Sequence, residues 1–209
     1  MKIVCISDTH QLHRQLKIPE CDILLHAGDI TFTGEHHVLE DFNDWLGSLE
    51  NVKHKIVIAG NHDLSLENND NLARKILSNA SYLYHESITV EGLKIFGSPF
   101  SPRFCDWAFN VDRGEPLRKL WENIPQNTDI LLTHGPPWGI LDKTANGKQV
   151  GCEDLLRKVV EIKPKIHCFG HIHEGYGTLA LDGTVFVNAS SVDKTCRKIN
   201  QPIFFGVKL

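Results

Sequence analysis

Short apolar, β-branched runs recur along the chain, each bounded by turn residues: Ile3 to Ile6, Ile23 to Leu25, Ile56 to Ala59, Leu93 to Phe96, Ile130 to Leu132, Ile166 to Phe169, Val185 to Val187 and Ile203 to Val207. Runs that stay apolar instead of alternating predict strands buried on both faces. Between them Val38, Leu39, Phe42, Trp45, Leu46 and Leu49 fall at helical spacing, as do Leu155, Leu156, Val159 and Val160 ahead of Pro164. Leu117, Leu120, Trp121 and Ile124 mark a shorter amphipathic turn or two. Strands alternating with helices imply an α/β layered architecture, with parallel pairing and helices covering sheet faces. The last two strand candidates follow each other without a helix, which predicts a mixed sheet. Gly97 to Pro116 predicts a long ordered loop, a kind of segment that is often functional inside a compact domain.

Length and composition add limits. With 209 residues and 41% hydrophobic composition, the chain supports one core, read as a single domain over 1–209. A formal charge of −4 and a pI near 6.3 provide no basic stripe for duplex nucleic acid, although a small nucleotide remains compatible. Cysteines 5, 21, 105, 152, 168 and 196 form no C-x-x-C pair and lie mostly in apolar runs. They read as small buried hydrophobes in a reducing compartment, not as disulfides or zinc ligands. The apolar run at the N-terminus is too short for a signal peptide or membrane span, which predicts a cytoplasmic protein with no membrane partner.

Twelve histidines change the picture, because imidazole is a preferred metal ligand. Five polar motifs each follow an apolar strand candidate: Asp8-Thr9-His10, Gly28-Asp29, Gly60-Asn61-His62-Asp63, Thr133-His134-Gly135 and Gly170-His171-Ile172-His173. Strand ends of that kind open into the crevice at the carboxyl edge of an α/β sheet. Carboxylate, imidazole and amide oxygen together suit Mn²⁺, Fe²⁺, Zn²⁺, Co²⁺ or Ni²⁺. In D-x-H and H-x-H, alternate residues of an extended strand share a face about 7 Å apart, so the two side chains point the same way. Paired ions sit roughly 3.5 to 4 Å apart, activate a water and clamp the oxygens of an in-line displacement; Asp29 is the candidate bridging carboxylate. Each motif alone is common, and the set of five in register is what points to a metal site. His26 and His167, on strands leading to motifs, are candidates to support the ligands, whereas His13, His36, His37, His54 and His85 read as ordinary polar residues.

The set D-x-H, G-D, G-N-H-D/E, H and G-H-x-H resembles the signature of the calcineurin-like metallophosphoesterases. Gly97-Ser98-Pro99, Trp107-Ala108-Phe109-Asn110, Thr133 to Pro137 and Val187-Asn188-Ala189-Ser190 resemble the metallophosphoesterase-domain-containing subgroup, known for cyclic-nucleotide phosphodiesterase activity. The resemblance covers nearly the whole chain. It implies a four-layer αββα sandwich of two mixed β-sheets flanked by helices. It also implies two divalent metal ions, manganese first among them, one held by Asp8, His10, Asp29 and His173 and the other by Asp29, Asn61, His134 and His171. His62 would then be catalytic, as general acid or transition-state stabiliser beside the scissile bond. One animal branch of the subgroup lacks a histidine of the G-H-x-H element; here His171 and His173 are both present.

The expected activity is that of a phosphodiesterase on small phosphodiesters such as cyclic nucleotides, by in-line displacement at phosphorus. Protein phosphatases of this resemblance carry an Arg shortly after G-D, where this chain has Ile30-Thr31-Phe32-Thr33, and Asp112-Arg113-Gly114 reads as a turn. Phosphomonoester hydrolysis is the alternative, followed by a non-catalytic scaffold of the same fold. Asp63 reads either as orienting His62 or as a solvated turn carboxylate or helix cap. Phe100, Phe104, Trp107 and Phe109 are candidates to stack a base, or else to anchor their own loop.

Overall fold

In the computed structural model, which describes residues 1–206, the apolar runs become strands of two stacked sheets. In chain order the strands are β1 (Lys2–Ile6), β2 (Cys21–His26), β3 (Val52–Val57), β4 (Ser81–Tyr82), β5 (Glu86–Val90), β6 (Leu93–Ser98), β7 (Ser101–Pro102), β8 (Asn110–Val111), β9 (Ile130–Thr133), β10 (Ile166–Phe169), β11 (Gly177–Leu181), β12 (Thr184–Asn188) and β13 (Ile203–Gly206). The helices are α1 (His36–Ser48), α2 (Asp70–Ile76), α3 (Glu115–Glu122) and α4 (Glu153–Ile162). One sheet has the order β13-β1-β2-β3-β4 and the other β11-β12-β10-β9-β6-β5.

Strand alternation divides the apolar residues among three cores. Ile3, Cys5, Ile23, Leu25 and Ile56 point inward and meet Ile95, Ile130, Leu132, Ile166 and Cys168 of the opposite sheet. Val4, Ile6, Leu24 and Val57 point outward under Leu39, Phe42, Trp45 and Leu46 of α1. On the far side Phe96, Leu131, Phe169 and Phe186 pack against Leu117 and Trp121 of α3 and Leu155, Val159 and Ile162 of α4. The result is the four-layer αββα sandwich. Strands apolar at every position are what such stacking requires, since neither face meets water. Full burial of each large side chain contributes about 1.5–3 kcal/mol, which makes the central layer the principal source of stability.

The sequence reading needs several corrections. The mixed pairing expected of the last two strands is found, but in different sheets: β12 pairs β10 and β11 in one, while β13 runs antiparallel to β1 in the other. Both sheets are mixed all the same. Of the expected strand Ile203 to Val207, Val207 lies outside the described residues. Val160 is 57% exposed, because the buried stripe of α4 runs through Leu155, Val159 and Ile162. The 97–116 segment is ordered but not a plain loop, since β7 and β8 pair within it and α3 begins at Glu115. Cys5, Cys21, Cys152 and Cys168 are buried as expected, whereas Cys105 is exposed and Cys196 half-buried. No helix among the described residues is long and apolar enough to cross a membrane.

One buried histidine on an inner strand makes the protein acid-sensitive. His167 on β10 is fully buried beside Phe169 and Phe186, with Nε2 bonded to Thr133 Oγ1. Burial alone pushes its pKa from 6.5 down to about 3. The unfolded chain therefore takes up the proton first as pH falls. The contribution of His167 to stability is complete well above pH 6.5 and is lost between 6.5 and about 3, by about 2 kcal/mol at pH 5. The expected result is a wild-type melting temperature that drops between pH 7.5 and 5 more steeply than that of His167→Asn, both in chelator; parallel slopes would contradict it.

Candidate metal centre

β1, β2 and β3 are parallel neighbours in one sheet and β9 and β10 in the other, so all five polar motifs emerge at one edge of the sandwich. The backbone there is not extended. Asp8 (φ 49°), His10 (φ 39°), Asp29 (φ 58°) and His171 (φ 66°) all lie in the left-handed region. This corrects the expected geometry of D-x-H, because left-handed backbone at Asp8 and at His10, not strand alternation, turns the two side chains inward. Such conformations cost on the order of 1–3 kcal/mol each and persist only where surroundings over-determine them. Here Asp8 N, His10 N and Gln11 N donate to the carbonyls of Gly28, Asp29 and Ile30, continuing the β1–β2 ladder past the sheet edge.

The seven expected ligands are brought together. Ligand atoms of Asp8, His10 and His173 lie within 4.8 Å of one another, and so do those of Asp29, His134 and His171. Asp29 joins the trios, since its Oδ2 is 3.8 Å from His10 Nε2 and 3.4 Å from His134 Nε2. Asn61 Oδ1 lies 2.8 Å from His134 Nε2. Asp8 is fully buried and accepts from His171 N, with His173 Nε2 at 3.5 Å. His62 sits close enough to His10 and Asp29 to form a third trio. At Gly60 a Cβ would lie 2.5 Å from Asp29 N and 2.6 Å from His134 Cε1, so only glycine lets the β3 loop approach.

Hydrogen bonds fix the ring tautomers. His10 Nδ1 faces Thr31 O at 2.8 Å, His134 Nδ1 faces Ala27 O at 2.9 Å and His62 Nδ1 faces Phe32 O at 2.7 Å. A carbonyl only accepts, so each Nδ1 carries the hydrogen and each Nε2 of a neutral ring offers a lone pair to the site, the usual arrangement behind a ligating histidine.

The charge balance shows what the site lacks. Burial pushes Asp8 up, but bonded His173 with His134 and His10 outweighs it and holds the carboxyl well below the usual range. Asp29 is held low in the same way, with His134 overcoming burial. Burial pushes His134 and His173 down, yet Asp29 and Asp8 respectively raise them to about 9. Burial and the neighbouring His134 lower His171 to about 4. Buried carboxylates, an amide oxygen and imidazole lone pairs thus converge where only protons on histidines answer them. Hard and borderline divalent cations match that donor set, so the residues fit metal binding.

Several supporting residues escaped the sequence reading. Ser190 Oγ donates to Asp8 Oδ2 at 2.8 Å, and Asn188 Nδ2 to Ile172 O at 2.8 Å. The signal was available: Asn188 and Ser190 follow an apolar strand, as the five motifs do. Asp63 is neither solvated nor bonded to the His62 ring. It is buried and accepts from Ile30 N, Thr31 N, Thr31 Oγ1 and Gly60 N, buckling the β2 and β3 loops together. His26, a candidate to support the ligands, bonds their chain neighbours: Gly28 N donates to its Nδ1, and Nε2 bonds Thr9 Oγ1. His167 reaches only Thr133, beside His134.

Of the aromatic candidates, Phe109 is buried and Phe100 packs edge-on against it and Tyr84. Trp107 lies against His62 at 4.1 Å with the rings tilted by 37°, and Phe32 stacks on His10 at 4.9 Å. Phe104, 62% exposed, is left free to meet a ligand. The metal centre opens into a pocket of about 250 Å³, in which Lys194 is the one lysine or arginine among the described lining residues.

A four-layer sandwich with carboxylates, histidines and an asparagine collected at one strand edge is the plan of a metal-dependent phosphoesterase. The calcineurin-like phosphoesterase profile matches residues 1–175, and the chain belongs to that family. Human metallophosphoesterase domain-containing protein 1 (Homo sapiens) is 41% identical over 228 residues, covering 97% of this chain and 69% of that protein. One solved structure superposes with a TM-score of 0.67 at 18% identity, covering 95% of this chain and 97% of the other. That of a novel archaeal phosphodiesterase gives a TM-score of 0.50 at 16% identity, covering 98% and 100%. At such identities the likeness to the solved structures is one of fold.

Proposed function

We propose that the chain is a phosphodiesterase acting on small phosphodiesters, cyclic nucleotides among them, with two divalent cations of which Mn²⁺ is the leading choice. The observation that carries this reading is the convergence of six ligand candidates around Asp8 and Asp29, with His62 alongside, and of the seventh, Asn61, on His134. Asp8, His10, Asp29 and His173 would hold one cation, and Asp29, Asn61, His134 and His171 the other. When bound, the cations supply Lewis acidity toward phosphoryl oxygens and a water-derived nucleophile at neutral pH. His62, its Nδ1 anchored on Phe32 O, presents Nε2 to the same space, so its protonated form donates to the departing ester oxygen.

A diester carries one negative charge and a monoester up to two. The centre provides one lysine, Lys194, and no arginine follows Asp29, where the Ile30 and Thr31 amides are committed to Asp63. That limited positive charge favours the diester. The scaffold alternative requires lost ligands, and none of the seven is lost. Six free cysteines favour a cytoplasmic setting.

The test is hydrolysis of bis(p-nitrophenyl) phosphate and p-nitrophenyl phosphate by chelator-stripped protein with and without Mn²⁺. Mn-dependent turnover is expected at least about tenfold faster on the diester, and absent in Asn61→Ala. A faster monoester would make the chain a phosphomonoesterase. No turnover with any divalent cation would leave the scaffold reading.

A further inference from the structure

The chain beyond β12 supplies a part of the metal pocket that neither the ligand candidates nor His62 account for. From Ser190 to Asn200 it turns back on itself as a hairpin, closed by an antiparallel bridge between Val192 and Ile199. Its root is fixed directly behind the centre. Ser191 N donates to Ser7 O at 2.7 Å, Asn200 N to Ser191 O at 2.8 Å and Asn200 Nδ2 to Ser190 O at 2.9 Å, while Val192 is buried. Ser190 in turn holds Asp8.

One carboxylate builds the tip. Asp193 Oδ1 accepts from Thr195 N, Thr195 Oγ1, Arg197 N and Lys198 N at 2.8 to 3.3 Å, and Cys196 N donates to Asp193 O at 2.8 Å. An aspartate that collects the amides ahead of it fixes a short turn without any core of its own. The turn places Lys194 and Cys196 in the wall of the metal pocket. Elsewhere on the surface Lys53, Arg103, Lys119 and Lys165 pair with carboxylates. Lys194 is exposed, and no side chain among the described residues takes up its charge.

We propose that Lys194 is a substrate-binding residue whose ammonium donates to a non-bridging oxygen of the phosphoryl group, and that the Asp193 turn positions it there. The assignment rests on the phosphoester hydrolysis read from the metal centre and adds a residue to it. An ammonium is a compact point charge with three donors, suited to an anionic oxygen whatever the ester groups are. Coulombic attraction scales with the product of the charges, so Lys194 acts more strongly on a dianionic monoester than on a monoanionic diester. The residue therefore adds affinity for the phosphoryl group while narrowing the preference for diesters.

Steady-state kinetics of Mn²⁺-loaded wild type, Lys194→Gln and Lys194→Arg on bis(p-nitrophenyl) phosphate and p-nitrophenyl phosphate test this. A hydrogen bond to a charged group is worth about tenfold or more. Lys194→Gln is expected to raise the diester KM about tenfold and the monoester KM further still, with metal content unchanged. Its kcat should stay within about threefold of wild type, the mark of lost binding and not of lost chemistry. Lys194→Arg, which keeps the charge, should retain most of the affinity. Asp193→Ala is expected to raise KM in the wild-type background but not in Lys194→Gln, because it acts through the lysine; additive effects would remove its positioning role. Calorimetry with inorganic phosphate gives a readout independent of turnover, and the affinity should fall at least about tenfold in Lys194→Gln. Unchanged KM and phosphate affinity, or a lower kcat accompanied by loss of metal, overturns the role of Lys194 and leaves the phosphodiesterase reading standing. A wild type faster on the monoester overturns that reading and leaves Lys194 in place. If neither ester is cleaved the proposed activity falls, and the phosphate calorimetry alone upholds or overturns the lysine.

Discussion

Asp29→Asn is expected to strip the centre of metal and lower turnover by about a thousandfold while the fold survives. Asp29 Oδ2 faces both His10 Nε2 and His134 Nε2, so Asp29 would help to hold an ion in either trio. Charge stabilisation by such ions is worth several kcal/mol, and each 1.36 kcal/mol is a factor of ten, which sets the magnitude. Asparagine keeps an Oδ1 to accept from His62 N, now bonded at 2.8 Å, and so preserves the loop. Metal content after gel filtration, turnover and thermal melting should be measured together. Wild-type metal content in a folded, active variant would remove Asp29 from its bridging role.

His62→Ala has the second largest expected effect, a loss of more than about a hundredfold in turnover with metal content unchanged, in the range of a positioned general acid. Its ring is held by three contacts: Phe32 O on Nδ1, Trp107 tilted against it and the His10 ring at right angles to it. If its task is to protonate the departing oxygen, the loss should be large for an alkoxide leaving group and small for p-nitrophenolate, which departs unaided. Equal losses on both would assign His62 to charge stabilisation instead, and no loss on either would remove it from catalysis.

The candidate centre was more legible in the sequence than the fold around it. Asp8, Asp29, Asn61, His134 and His171 each follow a run of apolar residues, and a polar side chain at the end of a buried strand has few places to go except the crevice beyond it. Pairing was harder to read. The run Ile3 to Ile6 is apolar throughout, so nothing in it says that Ile3 and Cys5 face the other sheet while Val4 and Ile6 face α1. For the same reason no local pattern assigns β12 and β13 to different sheets. Short or partly exposed elements left weak signals: β5 and β11 are edge strands, and α2 buries little besides Ala73. The left-handed backbone at Asp8, His10, Asp29 and His171 is set by long-range ties that no local pattern records. Asp63 shows the same limit, because its role depends on amides more than thirty positions away in the β2 loop.

Asp8 meets His171 across 163 positions of chain and Ser190 across 182. A ribosome delivering about 5–20 residues per second therefore exposes Asp8, His10, Asp29 and Asn61 on the order of ten seconds before the late histidines emerge. In that interval the nascent chain offers an incomplete ligand set, open to whichever ion is most abundant and able to hold none firmly. Metal selection accordingly falls after synthesis, to the closed protein, and is set by the ions of the compartment where folding ends.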